Sequence, residues 1–106
     1  MEERISAAIA ELKQRLEVLY GDQLAYLVLF GSQARGDADE GSDVDLLVVL
    51  RGEVRPGEEI SRTIDDVAEL SLEYSVVLSC TFVSLDRYER YGASFLANVR
   101  REGLLV

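Results

Sequence analysis

The sequence predicts an α+β domain: a small mixed β-sheet with helices packed mainly on one side, in the order αβ-loop-βαβαα. Three observations carry that reading. Apolar residues recur at helical spacing over residues 3–20, where Ile5, Ile9, Leu12, Leu16 and Leu19 are separated by Glu, Lys, Gln and Arg. Two runs, Leu24–Phe30 and Val44–Leu50, are almost continuously apolar, the pattern of strands covered on both faces. The length of 106 residues suits one domain, residues 1–106, around one core.

The elements follow in order. Gly21-Asp22 ends the first helix, and Leu24–Phe30 is the first strand. Gly31 to Ser42 is polar and Gly-rich, a functional loop with room for a helical turn, and Val44–Leu50 is the second strand. A turn region surrounds the single proline, Pro56. Ile60, Ile64, Val67 and Leu70 predict a second helix over about residues 58–72. Ser75–Val83, rich in β-branched and apolar residues, reads as the third strand. Ser84 is placed to N-cap a short helix over Leu85–Tyr91. Phe95, Leu96 and Val99 mark a last helix closed by Gly103 in the C-cap position, and Leu104-Leu105-Val106 adds a small edge strand or docks on the core.

Composition narrows the function. The net charge of −9 argues against direct binding of nucleic acid, whose partners present basic surfaces. No apolar run reaches the ~20 residues of a membrane span, and Met1-Glu2-Glu3-Arg4 lacks the blocks of a signal peptide, so no membrane partner is expected. Cys80 is the single cysteine and lies in an apolar run, which fits a free thiol in a reducing cytoplasmic setting. There is no histidine, so every Ser-His or Cys-His nucleophilic pair is excluded, and Ser32 has no base to activate it. Enzymatic chemistry here would rest on carboxylates and a metal.

The segment Gly31 to Asp45 concentrates the chemistry. Side chains alternate along a strand, so Asp43 and Asp45 share one face while Val44 points to the other. Two carboxylates beside a glycine-serine turn can grip a divalent cation and the phosphates it carries. A P-loop is excluded, because Gly31 and Gly36 have the right spacing but are followed by Asp37 and Ala38 in place of Lys and Ser/Thr. An EF-hand fails as well, since Val48 stands where the bidentate Glu belongs. A plain solvated acidic loop accounts for Asp37, Asp39 and Glu40. It accounts poorly for Asp43 and Asp45, which abut the apolar run of the second strand.

Leu29-Phe30-Gly31-Ser32-Gln33-Ala34-Arg35-Gly36, followed by Ser42-Asp43-Val44-Asp45-Leu46-Leu47-Val48, closely resembles the signature of the minimal nucleotidyltransferases of the DNA polymerase β superfamily. The helix order and Asn98-Val99-Arg100-Arg101-Glu102-Gly103 are similar to small proteins of that family too, so the resemblance spans the chain. It implies that Gly31 and Ser32 hold a nucleoside triphosphate such as ATP, that Asp43 and Asp45 bind magnesium and are the catalytic pair, and that Arg35 and Ser42 support the phosphates and the loop. For Arg35 a surface ion pair with Asp37 or Asp39 is an equal alternative.

The resemblance also implies a third carboxylate on the third strand, completing the metal site and activating the acceptor. Counting back from Ser84, the matching position is Ser79; Glu73 shares its strand parity but lies roughly 20 Å away in extended chain, and Asp86 lies beyond the strand end. A fold this short has no acceptor-binding domain of its own. The resemblance points to a small all-helical HEPN-type partner in a toxin–antitoxin pair, with self-association left open. Two functions follow. One is transfer of a nucleotide, AMP being favoured, to the partner protein. The other is a weak or inactive nucleotide-binding antitoxin subunit that works by binding its partner.

Overall fold

Helix α1 runs from Glu3 to Tyr20 in the computed structural model, which describes residues 1–39, 41–90 and 94–106. Its buried positions are Ile5, Ala8, Ile9, Leu12, Leu16 and Tyr20, one stripe at helical spacing. Leu19 is 42 % exposed, because Tyr20 at i+4 from Leu16 continues the stripe in its place. Gly21, at φ +55, ends the helix and returns its N–H to the Glu17 carbonyl.

Strands β1 (Leu24–Phe30), β2 (Val44–Leu50), β3 (Leu78–Ser84) and β4 (Leu104–Leu105) form one sheet in the order β3-β2-β1-β4. β1 is antiparallel to β2 and β4. β2 and β3 are parallel, as a crossover through a helix requires. β2 is interior to the sheet, and Leu46 to Leu50 are wholly buried. One sheet face (Leu27, Leu29, Leu46, Val48, Leu50) packs on α1 and on α3 (Pro56–Tyr74). The other face (Val28, Leu47, Val49, Val83) packs on Leu96 and Val99 of α5 (Ser94–Glu102), with Leu85 and Tyr88 of α4 (Leu85–Arg90) alongside. The two long helices thus share one side, and a thinner helical layer covers the other. No described helix is long and apolar enough to cross a membrane.

Three boundaries differ from the expectation. α3 begins at Pro56, whose missing N–H costs nothing at the first helical position, and carries Glu58 and Glu59 where the helix dipole favours them. It ends at Ser75, left-handed at φ +52, while the Val76 N–H reaches back to the Ser71 carbonyl at 3.0 Å. Residues 75–77 therefore belong to the helix end and its connection, and β3 starts at Leu78. The buried face of α3 is also rotated: Glu59, Thr63 and Leu70 face inward, while Ile60 and Ile64 are about half exposed. Glu59 tolerates burial because the Tyr20 hydroxyl donates to its carboxylate at 2.8 Å and Arg62 lies 3.5 Å away.

At the C-terminal end, the Ser84 hydroxyl accepts the Arg87 N–H at 3.2 Å, capping α4 as expected. The expected helix end at Tyr91 and the loop acid Glu40 lie outside the described residues. Gly103 does follow α5, but its φ is not positive. It is glycine because a Cβ there would strike the Val99 carbonyl and Val28 Cγ1, where the helix end meets β1. Leu104 and Leu105 then pair with Leu29 and Val28.

Candidate active site

β1 leaves the sheet at Phe30 and β2 enters it at Val44, so the connecting loop begins and ends at one end of the sheet. Phe30 lies opposite Asp45, and Asp45 lies opposite Ser79. Register partners share a face, so Phe30, Asp45 and Ser79 form a row across three strands on the α5 side. Val44, with 0 % exposure, points to the α1 side.

Gly31 adopts φ +75 and ψ −157, a region essentially reserved for glycine. A Cβ at this position would overlap Asp45 Oδ2 and sit 3.3 Å from its Cγ, so the Asp45 carboxylate rests directly on the Gly31 backbone. The chain then makes a single helical turn, α2 (Ser32–Arg35), in which the Ala34 and Arg35 N–H groups both donate to the Gly31 carbonyl at 3.1 Å. The Ser32 and Gln33 N–H groups, first in the turn, have no intrahelical acceptor and are left for another oxygen. Gly36, left-handed at φ +79, closes the turn with its N–H on the Ser32 carbonyl at 3.0 Å.

The supporting residues fall on either side of this turn. The Ser42 hydroxyl accepts the Asp39 N–H at 2.9 Å, and the Ser42 N–H donates to the Asp39 carbonyl at 3.0 Å, so Ser42 shapes the loop that delivers Asp43. Arg35 pairs through Nε with Asp37 at 3.3 Å, both side chains being exposed. It still acts on Asp45. The Asp45 pKa is raised, first by burial and next by the Asp43 charge, with Arg35 pulling the other way. Asp43 itself is exposed. A like-charged pair whose half-buried member resists ionisation, and whose donors are all oxygen, suits a hard divalent cation.

Ser79 stands beside Asp45 where the resemblance places a third carboxylate. The alternatives do not reach it. Glu73 lies in α3, so its strand parity with Ser79 does not exist. Asp86 is on α4 and ion-paired with Arg90 at 2.7 Å. Among the described residues no group of three or more Asp, Glu, Cys or His side chains is arranged to hold a metal. Cys80, on the opposite face of β3, has its thiol pushed up to about 12 by burial and takes no part.

The sequence reading did not connect α5 with this site. A hollow of about 270 Å3 opens beside Gly31, lined by Phe30, Arg35, Phe95, Asn98, Val99 and Glu102. Phe95 meets Phe30 edge-on, with ring centroids 5.5 Å apart at 84°. The segment from Asn98 to Gly103 carried part of the resemblance, but its position depends on the long-range pairing of β4 with β1. A larger cavity, about 640 Å3, lies at the far end of β1 around Lys13, Asp22, Tyr26 and Arg51, away from the acidic pair.

A glycine-serine turn with Asp45 of β2 seated on it, and Asp43 just before the strand, fits the nucleotidyltransferase class, and the comparisons agree. The profile described as "Nucleotidyltransferase domain" matches residues 9–100. This chain belongs to that family. It is 34 % identical over 91 residues to "Putative protein adenylyltransferase MJ0141" of Methanocaldococcus jannaschii, covering 79 % of this chain and 91 % of the relative. It is 36 % identical over 100 residues to "Putative protein adenylyltransferase MJ0604" of the same organism, covering 93 % and 94 %. Among solved structures, one described as "Crystal structure of the toxin-antitoxin with AMP-PNP" shares the fold, with a TM-score of 0.60 over 90 % of this chain and 69 % of that one at 19 % identity.

Proposed function

We propose that this protein binds a nucleoside triphosphate with magnesium and transfers a nucleotide, AMP, to a hydroxyl of a partner protein. The observation that carries the reading is the seating of the Asp45 carboxylate on the Gly31 backbone. It puts the carboxylate we assign to the metal against the turn we assign to the phosphates. The Ser32 and Gln33 N–H groups and the Ser32 hydroxyl would donate to phosphate oxygens. Asp43 and Asp45 would hold the magnesium, which when bound supplies charge neutralisation and polarises the phosphates. The acceptor hydroxyl gives up its proton to solvent as its oxygen bonds to the α-phosphorus, the α–β bridging bond breaks, and pyrophosphate leaves. Protein acceptors are supported by the relatives named as protein adenylyltransferases. The partner we propose is a small helical protein of the HEPN class; that the fold is shared with a chain of a structure described as a toxin-antitoxin supports a paired assembly.

Ser79 favours a second reading. With no carboxylate beside Asp45 on β3, the described residues offer no evident base for the acceptor proton, and a nucleotide-binding antitoxin subunit acting by association alone fits that site. Incubation with α-labelled ATP and magnesium, with and without the protein encoded beside it, separates the two. Label on the partner that is lost with Asp43→Asn supports transfer. A stable complex with no label supports binding alone.

A further inference from the structure

We infer that the hollow between β1 and α5 is a nucleobase subsite that selects bases with an amine beside a ring-nitrogen acceptor, with adenine favoured. The inference rests on the triphosphate reading above, because it assigns the part of the nucleotide that the glycine-serine turn and the acidic pair leave unheld. At about 270 Å3 the hollow falls just below the ~300–1,000 Å3 of clefts that enclose whole drug-sized ligands, which suits one moiety of a larger ligand. It shares Gly31 with the phosphate turn and reaches it without a break, so a nucleotide anchored at Gly31 has its remaining length beside these walls.

The walls have the chemistry of a base site. Phe30 is fixed by its strand and by the edge-on contact with Phe95, and Phe95 is 48 % exposed, with ring surface left over. An aromatic ring offered to solvent beside a phosphate site is a stacking platform, worth ~1–3 kcal/mol per base, and larger purine rings gain more from it. The polar rim is a donor beside an acceptor. Arg101 donates to Asn98 Oδ1, which occupies the amide oxygen and leaves the Asn98 Nδ2 hydrogens to donate. Glu102, one helical turn further along α5, makes no ion pair among the described residues, and its carboxylate accepts only. That pair complements adenine and cytosine, in each of which an amine donates beside a ring-nitrogen acceptor. Guanine and uracil would set O6 and O4 against the carboxylate. A second phosphate site is disfavoured for the same reason, since Glu102 would repel it.

Binding of the magnesium complexes of ATP, UTP and inorganic tripolyphosphate to the whole chain tests this by calorimetry. Wild type should bind ATP more tightly than UTP or tripolyphosphate. Phe95→Leu keeps an apolar side chain and should weaken ATP about tenfold or more while leaving tripolyphosphate unchanged. Glu102→Gln should narrow the preference for ATP over UTP, and its melting temperature serves as the check on folding. If Phe95→Leu leaves ATP binding unchanged, or weakens ATP and tripolyphosphate alike, the base lies elsewhere and the inference is overturned while the phosphate reading stands. If neither ATP nor tripolyphosphate binds wild type, the triphosphate reading itself fails and takes the inference with it.

Discussion

Gly31 and Asp45 compete for the same space: the position a Cβ would take on Gly31 is already filled by the Asp45 carboxylate. Gly31→Ala must therefore do two things at once. It forces alanine into a backbone conformation that costs of order 1–3 kcal/mol, and it pushes the carboxylate off the turn. The expected result is a lower melting temperature together with loss of the stabilisation that magnesium-ATP gives. Gly36→Ala is the control, because no atom of the described residues beyond its chain neighbours lies within 4 Å of a Cβ there, so it carries the backbone strain alone and should keep the ligand response.

Asp45→Asn is expected to stabilise the ligand-free protein. The folded-state pKa of Asp45 is raised by burial, then by Asp43, against the opposing Arg35. A carboxyl group whose pKa rises on folding favours the folded state only while protonated. Its contribution is complete below the unfolded value of ~3.9 and is lost as pH climbs through the folded value. The variant should accordingly melt higher than wild type at neutral pH, with the gap closing as pH falls into the carboxylate range. Adding Asp43→Asn should abolish any dependence of the ATP-induced shift on magnesium. A double variant that keeps the full magnesium-dependent shift would show that the nucleotide is held elsewhere.

The sequence and the structure agree most closely where the signal is local. Residues 3–20, 24–30 and 44–50 carry their periodicity or apolar density within the segment itself, and all three elements begin and end where predicted. The turn at Gly31 and the place of Asp45 at the start of β2 were legible for the same reason, as a short motif. What failed was relational. The face of α3 is set by Tyr20 reaching Glu59 from another helix, so Ile60 and Ile64, apolar at proper spacing, were assigned inward and lie half exposed. Ser75 looked like strand because its neighbours are β-branched, yet its left-handed backbone ends a helix. Phe95, Asn98 and Glu102 meet Gly31 only because a two-residue strand folds back on β1, a contact with no footprint in the chain between them.

Ser79→Asp tests the row Phe30, Asp45, Ser79. A third carboxylate beside Asp45 adds an oxygen ligand and a second like charge to a group already hard to ionise. In the absence of metal the variant should melt below wild type. Manganese or magnesium should restore the loss and bind more tightly than to wild type, since affinity for hard cations rises with carboxylate count. With an acceptor present, a positioned base contributes typically ~10²–10⁴-fold, so transfer should increase visibly if the rest of the site is competent. A variant that melts lower and gains nothing from divalent cations would show that Ser79 does not face the metal position.

Gly103→Ala probes how α5 is held against the site. Two effects oppose each other. Removing a glycine stabilises by ~0.4–1 kcal/mol through the unfolded chain, and the φ of Gly103 does not forbid alanine. Against this, the new Cβ would strike the Val99 carbonyl and Val28 Cγ1 and come within 3.3 Å of the Leu29 carbonyl, two of the three being backbone that cannot rotate aside. Overpacking of that kind costs typically 1–3 kcal/mol, so the clash wins and the variant should melt lower. Relief requires α5 to move away from β1, carrying Phe95, Asn98 and Glu102 with it, while Gly31, Asp43 and Asp45 keep their places at the ends of β1 and β2. The signature is therefore specific: magnesium tripolyphosphate binding is retained, and the preference for ATP over UTP is reduced. Equal loss of both ligands would mean that the whole sheet end deforms, and an unchanged preference would mean that α5 does not contact the base.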